Sequence, residues 1–150
     1  MSKEYSLNPK LDRHFTDDRE PSRLRLHFMR GLYFLTFISL AFDNWSTILF
    51  PTEQMNTLDG VAISFWASFS LLMLIGIRFP TRMIPLLLLQ LLYKTSWIIG
   101  VYLPAYATNQ LNSNLQSFFW VCIAGITLNL LIIPWPWVYQ NYIRSYFRFK

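Results

Sequence analysis

"LLLLQLLYKTSWIIGVYL", residues 86–103, is nearly continuous hydrocarbon with Gln90 and Lys94 set into it. As a helix it would rise about 27 Å, close to the ~30 Å hydrocarbon layer of a bilayer. Whether it is a membrane span or one buried core helix depends on whether such segments recur, and they do. Apolar blocks of spanning length run over residues 28–50, 60–79, 82–103 and 116–133, closed by Pro51, Pro80, Pro104 and Pro134 respectively. Proline is cheapest where the helical ladder stops, because its missing N–H then removes no bond. Pro85 lies in the first turn of the third block, where that loss is also small.

Composition agrees with this reading. Hydrophobic residues make up 53% of the 150 and charged residues only 14%, against about 25% in a soluble domain. The formal net charge of +5 does not indicate nucleic acid, because the basic residues flank apolar blocks and form no stripe. An anionic lipid surface is the partner expected instead. Cys122 is the single cysteine, so no intramolecular disulfide and no cysteine metal cluster can form.

Orientation follows from the positive charges. Seven of the 13 Lys and Arg precede or open the first block (through Arg30), Arg78 and Arg82 flank the second loop, and Arg144, Arg148 and Lys150 close the chain. Loops 51–59 and 104–115 have none. The positive-inside rule therefore predicts a membrane protein with both termini and the short Arg78–Arg82 loop cytoplasmic. The first block is too long for a signal-peptide core and lacks an A-x-A-like exit, so an uncleaved anchor is expected.

The expected organisation is all-α: an integral-membrane four-helix bundle over 21–138, preceded by a flexible cytoplasmic tail, 1–20. An interfacial amphipathic helix, 139–150, follows. In that last segment Tyr139, Tyr142, Ile143, Tyr146 and Phe147 recur at helical spacing opposite Gln140, Asn141, Arg144 and Arg148, the pattern of a helix lying in the interface.

The candidate site is the intramembrane polar cluster. Lys94 lies 12 residues past Arg82 and Asp43 lies 13 past Arg30, so the two charges are expected at similar depth and as a pair. A charge at that depth costs at least ~2.5 kcal/mol. Gln90, one turn before Lys94, Asn44 beside Asp43, and Trp97 complete the cluster. It reads either as polar glue between spans one and three or as a site for an anionic or quinone-like head group. Ser64, Ser68, Ser70, Gly125 and Asn129 read as helix-packing positions, and Asp59 and Glu53 as a solvated cap. With only His14 and His27 in the chain, two axial histidines for an intramembrane haem are missing. No phosphate loop, Ser/His/Asp set or HExxH occurs.

"IRFPTRMIPLLLLQLLYKTSWIIGVYLP", residues 77–104, together with "IPWPWVYQNYI", resembles a group of small bacterial four-span proteins that are loosely DoxX-like. The resemblance covers the last three spans best and implies the same four-helix architecture. It also implies an association with redox-linked membrane complexes. The group carries an acidic residue where this chain has Gln90, so the resemblance implies that a carboxylate–lysine proton relay is missing here.

The functional expectation is a structural or accessory subunit of an inner-membrane complex, without catalysis or a resident cofactor. It would contact a protein partner or further copies of itself. The alternatives are a small-molecule protein binding quinone or another lipophile near Lys94, and an oligomeric transporter.

Overall fold

Ser22 opens the first helix: its hydroxyl accepts a hydrogen bond from the Arg25 amide at 3.3 Å, satisfying one of the orphan N–H groups of a helix start. The computed structural model describes residues 21–51 and 54–143. Among these the elements are helices: α1 (Arg23–Leu49), α2 (Thr57–Arg78), α3 (Ile84–Ala107), α4 (Ser113–Ile132) and the short α5 (Trp135–Val138). The first four are each long and apolar enough to cross a membrane. Asn56 caps α2 by accepting from the Asp59 amide at 2.9 Å, and Asn112 caps α4 by accepting from Leu115 at 2.8 Å. Asp59, expected as a solvated cap, is exposed in the first turn of α2, where a carboxylate favours the helix dipole. Glu53 lies outside the described residues.

The span boundaries differ from the sequence reading by up to three residues in most cases, and by more at two. α1 begins five residues earlier than expected, at Arg23, and α3 does not stop at Pro104 but continues to Ala107. A proline ring inside an α-helix collides with the carbonyl four residues back and leaves that carbonyl without a donor. Here α3 widens immediately before it. Residues Ile98–Tyr102 form a π-helical turn, and the Leu103 amide bonds to the Ile98 carbonyl, five residues back. The wider turn relieves the clash and lets the helix pass through Pro104. The chain then turns at Asn109, whose φ of 54° is left-handed, a conformation asparagine tolerates better than most residues.

α1 packs most broadly on α2 and α3 on α4. The two pairs are joined by a buried cluster that includes Met29, Leu32 and Tyr33 of α1, Phe69 and Met73 of α2, Ile84 and Leu87 of α3, and Ile133 and Val138. Tyr33 is its centre. A Cβ on Gly76 of α2 would collide with the Tyr33 ring, so only glycine allows the ring to lie on the α2 backbone. The Tyr33 hydroxyl donates to the Pro80 carbonyl at 3.1 Å. One side chain therefore ties α1, α2 and the α2–α3 turn together.

The expected carboxy-terminal amphipathic helix is described only in part. After α5, Tyr139–Ile143 continues as a π-helical turn; residues 144–150 and the tail 1–20 lie outside the described residues. Within that turn Tyr139 is exposed while Tyr142 packs on the core cluster beside Trp137, so the two tyrosines do not share an environment.

Candidate functional site

Lys94 is buried inside the bundle, 6% exposed. Its stem lies across α4: a Cβ on Gly125 would fall 2.5 Å from the Lys94 Nζ and 2.9 Å from its Cε. The lysine is therefore accommodated by the missing side chain at Gly125, next to buried Cys122 one turn away. Its Nζ also lies 5.6 Å from the centroid of the Tyr93 ring, within cation–π range. Tyr93 in turn meets Trp66 of α2 edge-on at 4.6 Å.

The expected Asp43–Lys94 pair is not formed. Asp43 is exposed on α1, and among the described residues no carboxylate pairs with Lys94. Helix register is the reason. α1 and α3 meet through Thr36 and Gln90, whose side-chain amide donates to the Thr36 hydroxyl at 3.3 Å. With those two level, Lys94 stands at the height of Leu40, about 4.5 Å below Asp43 at 1.5 Å per residue. Lys94 then points toward the gap at Gly125 and not toward α1.

The other members of the predicted cluster separate in the same way. Gln90 shares the buried face of α3 with Lys94 and is 4% exposed. Asn44 donates to the Leu40 carbonyl of its own helix at 2.7 Å and does not reach Lys94. Trp97 joins an outer aromatic group, 4.6 Å and edge-on to Phe118 of α4. Of the small polar residues, Ser70 is fully buried and receives the Trp45 indole N–H at 3.2 Å, whereas Ser68 bonds back to the Ser64 carbonyl of its own helix.

Asn129 belongs to the site more closely than its reading as a packing residue suggests. It is fully buried and donates to the Gly125 carbonyl at 2.8 Å, and its Oδ1 has no hydrogen-bond partner. Gln90 Oε1 is in the same condition. α3 and α4 are antiparallel, so one turn back from Lys94 and one turn on from Gly125 lead toward the same end of the bundle, about 6 Å in each case. A buried amine thus sits within a turn of two buried, unpaired acceptors, and an unmet buried polar atom typically costs about 1–3 kcal/mol. Thr36 is the residue the sequence reading missed. Its spacing of seven from Asp43 on α1 was the available signal, since that places both on one face.

The fold and this layer define a small all-α protein with four membrane-length helices and one polar layer within their packing. Compared with family models, with curated proteins and with solved structures, the chain shows no match.

Proposed function

We propose that the protein is a non-catalytic accessory subunit of a bacterial inner-membrane complex, with both termini on the cytoplasmic side. The observation that carries this reading is Asp43. It lies within a membrane-length helix, on the face of α1 that carries buried Met29, Leu32, Tyr33 and Thr36, yet it is itself exposed. A carboxylate presented to lipid at that depth is costly, and a neighbouring helix bearing a lysine, arginine or hydroxyl donor would relieve the cost. An apolar groove of about 700 Å³, which Asp43 does not line, runs along another face of α1 and α2 past Phe42, Trp45 and Leu71. The occupant proposed is a transmembrane helix of a different protein. A second copy could offer Asp43 hydroxyl donors only, because the chain's own intramembrane cation, Lys94, is buried, and a partner helix bearing a lysine or arginine compensates the charge more fully.

Extraction from native membranes in mild detergent tests this. The wild-type chain should migrate in an assembly whose mass includes a second polypeptide. Asp43→Leu should release it as a monomer with undiminished thermal stability. A wild-type monomer, an assembly containing this chain alone, or an assembly that survives Asp43→Leu would each refute the proposal.

A second reading is favoured by the unpaired oxygens near Lys94. A quinol-like lipophile could accept from the amine and donate its hydroxyls to Gln90 and Asn129. Stoichiometric quinone extracted from purified wild type, and lost in Lys94→Met, would support this reading over the first.

A further inference from the structure

A second polar feature lies at the opposite end of the bundle from Asp59. Arg30 of α1, Arg78 at the end of α2 and Arg82 in the α2–α3 turn line one cleft of about 270 Å³, together with Thr81, Leu26 and Trp137. Arg78 and Arg82 stand on the same aromatic ring, their guanidinium carbons 5.9 and 5.7 Å from the Phe79 centroid. Both guanidiniums are thus within cation–π range of that one ring. The start of α3 at the same turn has no side-chain cap, which leaves the positive end of its dipole there. Asp43 and Asp59, the acids among the described residues, are remote. Asp59 is 19 residues from Arg78 along α2, about 28 Å at 1.5 Å per residue.

The lining is mixed, and the mixture points to a class of ligand. Three guanidiniums and a threonine hydroxyl suit a phosphodiester, which arginine binds through paired N–H donors. Leu26, Pro80, Phe79 and Trp137 supply an apolar wall beside them, and tryptophan is a residue of the membrane interface. We infer that this cleft is a specific site for the head group of an anionic phospholipid, with the phosphate held by Arg30, Arg78 and Arg82 and the acyl chains leaving past Leu26 and Trp137. The volume admits a phosphoglycerol head group and excludes the whole lipid. The inference is independent of which partner covers Asp43.

The test uses the full chain in a neutral detergent, with native mass spectrometry reading bound lipid. Phosphatidylglycerol should be retained at least tenfold more than phosphatidylcholine. The R78Q/R82Q variant should lose that preference while its lipid-free melting temperature stays within a few degrees of wild type. Equal retention of the two lipids, or an undiminished preference in R78Q/R82Q, would overturn the site. If the double variant does not fold, R82Q alone decides: wild-type preference there is a refutation. Soluble glycerol phosphate is the arm that separates sources, and binding of it as tight as that of phosphatidylglycerol would assign the cleft to a free phosphate compound. Finally, lipid retention seen only after Asp17, Asp18 and Glu20 are neutralised would give the cleft to the chain's own acidic tail and overturn the lipid assignment.

Discussion

Two glycines in this bundle have a neighbour where their Cβ would be, and the neighbours differ in kind. Gly76 faces the ring of Tyr33, a rigid group whose hydroxyl is spent on the Pro80 carbonyl. Gly125 faces the end of Lys94, a flexible chain with unpaired acceptors nearby on Gln90 and Asn129. The first contact is closed: every polar atom of Tyr33 is accounted for and the ring has nowhere to go. The second retains unused hydrogen-bonding capacity and a side chain able to change rotamer. A fastener and an adjustable polar layer thus use the same device, close approach at glycine, with opposite consequences.

The largest expected effect comes from breaking the fastener. Gly76→Ala should cost about 3 kcal/mol, the upper range for overpacking a well-packed core, because the ring cannot bend aside without giving up its hydrogen bond. Gly125→Ala should cost less than a third of that, since the lysine amine can swing away. Thermal unfolding of both variants in the same detergent checks the order, and equal losses would abolish the distinction.

Next in size is the lysine itself. Because no carboxylate depends on Lys94, Lys94→Met should raise thermal stability, by about 2.5 kcal/mol if the amine is charged, with methionine's flexible stem filling the same gap. A loss of stability would show that the amine is compensated where it lies, with Gln90 and Asn129 the nearest acceptors. Smallest of all is the coupling between Lys94 and Asp43. Lys94→Met and Asp43→Leu should combine additively to within about 0.5 kcal/mol, as sites without shared contacts do. Coupling well above that would restore the ion pair.

What could be read in the sequence alone is set by solvation. Four helices, their boundaries near prolines and their alternating directions follow from the fact that backbone polar groups must be satisfied within each span and from where Lys and Arg accumulate. The identity of the polar residues on the spans was equally legible, and Gln90 and Lys94 do share one buried face of α3. Their partners were not. Depth counted from Arg30 and Arg82 assumes that the two arginines lie level, and the Thr36–Gln90 contact shows that they do not. A shift of a few ångströms separates Asp43 from Lys94, and no periodicity within one helix encodes the axial offset between two.

The same limit applies to Pro104 and to the glycines. A proline in sequence marks a helix end unless a π-helical turn opens the ladder ahead of it, and that turn depends on how α3 packs against α4. Gly76 and Gly125 look like any other glycine in an apolar run. Only the tertiary structure decides that one of them lies beneath a tyrosine and the other beneath a lysine, because close approach is a property of two backbones and a sequence describes one at a time.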